Sequence, residues 1–187
     1  MRSLAVSLAV SLAVGAAAGA AIGGTLGRVA MRLVFVADPG NRGFETAAGA
    51  TVGEITLSGT IAMYAAALAV GALFGLAYWA ARPFLPERPA WRAGVYTLAV
   101  TLLGTGLVAS DARTDFAFVP EALSIALIAV GIALTALPVA VIAEQLTPPA
   151  RRLSTRVAVP IVAAALVASL AFAALRVAAA LGELRVV

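Results

Sequence analysis

Few side chains in this sequence can do acid–base, metal or anion chemistry, and they fall in three places. Asp111, Arg113, Asp115 and Glu121 form one polar cluster. Two carboxylates such as Asp111 and Asp115 can bind a hard cation, but an ordinary solvated loop is the favoured reading of that stretch. Glu144, followed by Gln145, is the second place. A carboxylate at membrane depth can carry protons, yet the neighbouring Thr147-Pro148-Pro149-Ala150-Arg151 puts this one at an interface. The third is the pair Arg28 and Arg32, four residues apart in Gly27-Arg28-Val29-Ala30-Met31-Arg32 and so on one face of a helix. They read first as interfacial arginines snorkelling to phosphates. In the sharper alternative they face the bundle, paired with Asp38, Glu45 or Glu54, or grip an anionic headgroup bidentately. Arg28, Arg32, Asp38 and Glu54 are therefore the candidate headgroup or ion-pair site.

The missing residue types remove most other chemistry. There is no cysteine and no histidine, which excludes disulfides, thiol redox work, iron–sulfur clusters and thiolate or imidazole metal sites. All 13 basic residues are arginine, so Schiff-base lysines and a P-loop lysine are absent too. The isoelectric point near 10.6 could suggest nucleic acid, but the arginines are scattered among apolar runs and suit membrane flanks better. Inside those runs the polar groups are hydroxyls, Thr97, Thr101 and Thr105 sharing one face, and such hydroxyls usually bond their own backbone or a neighbouring helix. No serine–histidine pair or clustered metal ligands suggest an enzyme. No catalytic residue, cofactor or metal is expected.

The elements that position these residues follow from composition. Of 187 residues 63% are apolar and 12% charged, against about half and about a quarter in soluble domains. With a mean hydropathy of +1.04, the chain reads as an integral membrane protein rather than a soluble globule or a disordered one. About 20 apolar residues cross a bilayer core of about 30 Å, and five runs qualify: 4–27 (extending as far as Val36), 57–81, 90–109, 119–143 and 157–181. Pro138 should kink or end the fourth, whereas Pro160 lies in the tolerated first turn of the fifth. Short loops predict an all-α antiparallel bundle in one domain, 1–187. Between the first two spans, Asp38-Pro39-Gly40-Asn41 is a turn signature, and Thr51–Leu57 mixes β-branched and polar residues. A short extended or hairpin element is expected there, with a plain surface loop as the simpler alternative. A helix from Ser3 to Val36 would be about 50 Å long, so one of its ends must protrude. Arg2 and the following apolar run resemble the start of a signal peptide, but the run continues past the usual length and keeps a strict small-residue spacing.

Orientation rests on arginine counts. Seven arginines (2, 82, 88, 92, 151, 152 and 156) share the N-terminal side and six (28, 32, 42, 113, 176 and 185) the other. This places the N-terminus in the cytoplasm of a cell whose inner membrane holds the chain.

The most specific pattern is in the first span. Ser3, Ser7, Ser11, Gly15, Gly19, Gly23 and Gly27 recur every four residues, with a second ridge at Ala5, Ala9, Ala13, Ala17 and Ala21. Small residues at this spacing leave a groove in which another backbone can approach closely, as in a glycine zipper. Gly71-x-x-x-Gly75 in the second span offers the partner surface. Packing within the chain is the first expectation, and a homo-oligomer through helix 1 the second.

Gly27-Arg28-Val29-Ala30-Met31-Arg32, the stretch 52–60 (VGEITLSGT), Arg82-Pro83, Leu85-Pro86, Phe118-Val119-Pro120 and Ala143-Glu144-Gln145-Leu146 together resemble a group of uncharacterised multi-pass membrane proteins of actinobacterial type. The resemblance covers about residues 20–150 and implies a membrane bundle, without implying an activity. The function expected is accordingly that of a non-enzymatic helix-packing, assembly or lipid-interacting module. The alternatives are an oligomeric channel or facilitator for a small solute or ion, and an accessory subunit of a transporter. The expected partners are the bilayer and an anionic lipid.

Overall fold

The computed structural model describes residues 2–37, 39–43, 51–109 and 121–147. Among them every long element is helical: α1 (Arg2–Ala18), a π-helical turn (Gly19–Gly24), α2 (Thr25–Ala37), α3 (Leu57–Ala81), α4 (Pro89–Ala109) and α5 (Glu121–Leu146). α1, the π turn and α2 form one continuous rod, so the described residues hold four rods rather than five. The expected fifth span, 157–181, lies outside them. Three helices, 4–37, 57–81 and 125–146, are long and apolar enough to cross a membrane.

Two local expectations are corrected. The described residues between α2 and α3 hold a 3₁₀ turn, Pro39–Asn41, and a backbone bond from the Gly43 amide to the Val52 carbonyl at 3.0 Å. No strand forms among the described residues. Val52 is buried against Val34, with Phe35 beside them, so the described part of this segment packs onto α2 as well as making that bond to itself. Pro138 does not end its helix, which runs on to Leu146. Ala136, Val139, Ala140 and Ala143, all essentially inaccessible, recur at helical spacing on both sides of the proline, and their shared packing face carries the helix through it.

α3 starts where Thr56 caps it, its hydroxyl accepting from the Gly59 amide at 3.2 Å. It stops before Arg82-Pro83, because proline cannot continue the backbone ladder. Its partner is the first rod, and the approach is backbone to backbone. A Cβ on Gly15 would fall on the Gly71 carbonyl and within 2.8 Å of the Gly75 nitrogen, and one on Gly19 would come within 2.7 Å of the Gly71 Cα. Glycine is required at these positions by space.

The rest of the small-residue stripe behaves differently. On a helix of 3.6 residues per turn, positions four apart drift about 40° per step, so one partner cannot follow seven of them. At Gly19–Gly24 the rod widens into a π turn, whose i→i+5 bonding takes up an extra residue. Gly24 at its end is buried, and beyond it the buried positions are Met31 and Val34. Gly23 and Gly27 meet side chains instead: Ala67 and Thr135 at 3.6 Å around Gly23, and the Met63 sulfur at 2.8 Å from a Cβ on Gly27. Trp79 closes the other end of the seam, its Nε1 donating to Ser7 Oγ at 3.0 Å. Near its far end α2 is covered by Val52, which packs on Val34.

Candidate functional site

One end of the bundle is built around Glu144. The turn between α3 and α4 contains Pro83 and Pro86 and leaves carbonyls without helical partners, and Pro89 occupies the first position of α4, where its missing N–H costs nothing. One turn into α4, Arg92 reaches back into that turn. Its Nε donates to the Pro86 carbonyl and its Nη2 to the Glu87 carbonyl, both at 3.0 Å, while its Nη1 donates to Glu144 Oε1. Arg82, at the end of α3, donates through Nε to Glu144 Oε2 at 3.0 Å and through Nη2 to the Thr147 carbonyl at 3.4 Å. The Tyr78 hydroxyl donates to the same Oε2 at 2.7 Å. Both carboxylate oxygens are thus engaged, by charged donors stronger than neutral ones.

This cluster is largely removed from water: Arg92 is 1% exposed, Arg82 6% and Glu144 17%. Beneath it Tyr78 and Tyr96 meet edge to face at 5.1 Å, Tyr96 donating to the Phe74 carbonyl. A carboxylate held by three donors of its own chain ties α3, α4 and α5 together at this end. Sequence reasoning missed the cluster by treating Arg82, Arg92 and Glu144 as separate interfacial residues. The available signal was a lone acid at the end of a span whose face also receives Arg82 and Arg92 in an antiparallel bundle.

Among the described residues, the other half of the bundle is open. Between the first rod, α3 and α5 lies a groove of about 400 Å³. Its walls are Gly23, Gly27 and Ala30 on one side, Ala66, Ala67, Val70 and Phe74 on the second, and Leu127, Ile128, Gly131 and Ile132 on the third. Small residues on facing helices keep it wide. Thr135 contributes a polar atom, but its hydroxyl is engaged with the Gly131 carbonyl at 2.8 Å. Val34 and Val52 close the outer end.

Of the candidate headgroup residues, Arg28, Arg32 and Glu54 each take a different partner. Arg28 turns toward α3, its Nη2 donating to Thr60 Oγ1 at 2.7 Å and its Nη1 facing the Met31 sulfur at 3.9 Å. Arg32 stacks over the Phe35 ring at 5.2 Å. Glu54 pairs with Arg42, at 3.8 Å and well exposed, not with Arg28. Asp38, Glu45, Asp111 and Asp115 lie outside the described residues. Gly15 and Gly19 lie against Gly71 and Gly75 of the same chain.

Thr97, Thr101 and Thr105 on α4 form a further set, their hydroxyl oxygens buried without a hydrogen-bond partner. Thr25, Thr60, Thr135 and Thr147 instead donate to the carbonyl four residues back. Unpaired buried hydroxyls cost about 1–3 kcal/mol each. The triple change to valine is therefore expected to raise the stability of the purified protein by about 1 kcal/mol or more in detergent unfolding. A fall would show that these hydroxyls are bonded.

No protein family, curated protein or solved structure matches the chain.

Proposed function

We propose that this chain is a non-enzymatic, multi-pass protein of the bacterial inner membrane that holds an apolar lipid chain between its helices. The groove of about 400 Å³ carries this reading. In a bilayer the medium beside such a groove is hydrocarbon, and an apolar wall is solvated there by an acyl chain rather than by water. The two polar ends support the depth. Ser7, bonded to Trp79 beside the Glu144 cluster, and Arg28, bonded to Thr60, are 21 positions apart along one rod, which is about 32 Å against a hydrocarbon core of about 30 Å. The seam of Gly15 and Gly19 on Gly71 and Gly75 acts as a glycine zipper, and with the Glu144 clamp it keeps one end shut while the other admits the chain. The arginine count sets the N-terminus in the cytoplasm.

Gly131→Leu is the direct test. A Cβ at Gly131 meets nothing within 4 Å, so the larger side chain fills the groove without straining the fold. Native mass spectrometry from lipid nanodiscs is expected to show lipid retained by the wild type and lost from the variant. Equal retention by both proteins would sink the proposal, as would a lipid-free wild type. Solute leak through liposomes carrying the purified chain would instead favour the channel.

A further inference from the structure

We infer that the π turn in the first rod is a gate for the groove: straightening it turns α2 by one residue and fills the space that the lipid chain occupies. The inference rests on the lipid reading above and adds the device that controls it.

The two halves of the rod are held differently. On the α1 side, Gly15 and Gly19 lie backbone to backbone against Gly71 and Gly75, which fixes the height and rotation of α1 on α3. On the α2 side the neighbours are flexible side chains. The Met63 sulfur covers Gly27, and Met63 and Met31 form their own small buried cluster. Methionine repacks readily. Between the halves, Gly19–Gly24 holds the extra residue of a π turn, a feature that recurs at functional sites. Conversion to ordinary α-helix with α1 fixed advances α2 by about 1.5 Å and turns it by about 100°. Each place on α2 then passes to the residue one before it in sequence.

That exchange fits at the tightest point and closes the groove elsewhere. A Cβ on Gly24 would strike the Tyr64 ring at 2.9 Å, and its place passes to Gly23, again a glycine. The places of Gly23, Gly27, Ala30 and Val34, all on the groove wall, pass to Ile22, Leu26, Val29 and Leu33. Thr25 for Leu26 and Ala30 for Met31 return less space than these four take up. Val29 and Leu33 are half-exposed in the present register, so the turn also brings two large apolar side chains into the bundle. The π turn keeps small residues on the groove and large ones outside it.

Two hydrogen bonds between α2 and α3 hold this register. Arg28 Nη2 donates to Thr60 Oγ1 at 2.7 Å, and Thr25 Oγ1 meets the Tyr64 hydroxyl at 3.1 Å. In the straight rod Gly27 stands where Arg28 stands now and offers no side-chain donor, while Arg28 moves to the half-exposed place of Val29. The bond from Arg28 to Thr60 therefore latches the groove open.

The chain has no cysteine, so spin labels can be placed without background. Val36→Cys on α2 is paired with Leu73→Cys on α3 and, separately, with Leu134→Cys on α5, all at exposed positions. Double electron–electron resonance on the full chain in nanodiscs reads both distances. A turn of about 100° on a helix about 10–12 Å across moves a side-chain end by about 8 Å. Deletion of Ala21 removes the extra residue and leaves every later residue in its present place, so this variant is expected to show one distance per pair and to retain lipid in native mass spectrometry. Thr60→Val and Arg28→Gln each remove the latch. Both are expected to raise the share of a second, displaced distance about tenfold over wild type, the weight of a hydrogen bond to a charged group, and to retain less lipid. Distances that stay single and unchanged in both latch variants overturn the gate, as does a deletion variant that adopts the displaced distance. Lipid retained by a protein that does not move leaves the groove reading standing, whereas a wild type that moves but retains no lipid overturns that reading alone.

Discussion

Replacing Glu144 by alanine is expected to lower the stability of the bundle by about 3–5 kcal/mol, the range for breaking one side of a buried ion pair. The cost comes less from the lost bonds than from what remains. Arg92, 1% exposed, and Arg82, 6% exposed, would keep their charges without the carboxylate that both now contact. Neither can retreat easily. Arg92 is tied to the Pro86 and Glu87 carbonyls and Arg82 to the Thr147 carbonyl, so freeing a guanidinium also loosens the turn that joins α3 to α4. Tyr78 would lose its acceptor as well. Reversible unfolding in bicelles measures the loss. A change below about 1 kcal/mol, the scale of an exposed pair, would mean that the arginines rehydrate at the headgroups and that the clamp does not hold this end.

The second large effect is expected at Gly71. A Cβ there would fall on the Gly15 carbonyl and within 2.8 Å of the Gly19 nitrogen, so even alanine forces two backbones apart. Gly71→Leu should cost about 3 kcal/mol or more, at the upper end of overpacking penalties, because the clash is with backbone that has no rotamer to change. Gly94→Leu is the internal control, since a Cβ at Gly94 has nothing within 4 Å. The same unfolding assay compares them. A Gly71→Leu protein within about 0.5 kcal/mol of wild type, the scale of a neutral surface change, would remove the close seam from the account of this fold.

Both sites show how unevenly the chain discloses its structure. The range 57–81 was legible because an apolar run of spanning length ends at Arg82-Pro83, a local signal, while the Thr56 cap at its start came from the structure. The partnership of Gly15 and Gly19 with Gly71 and Gly75 was readable as well, since small residues at a fixed spacing state which face can be approached. Gly23 and Gly27 show the limit of that signal. Spacing four and helical period 3.6 disagree by an angle that accumulates, and past the close seam the rod passes through a π turn at Gly19–Gly24, where a Cβ on Gly24 would meet the Tyr64 ring of α3.

Composition and periodicity by themselves therefore determined that the chain is helical, where α3 lies, and which stripe of the first rod packs closely, because each depends on neighbours a few positions away. Only the tertiary structure decided that Glu144 is enclosed by Arg82, Arg92 and Tyr78, that Arg28 turns to Thr60 while Arg42 takes Glu54, and that facing small residues leave a groove. Those outcomes depend on the relative height and rotation of rods distant in sequence. A shift of one residue moves a side chain about 100° around its helix, enough to exchange a buried partner for lipid.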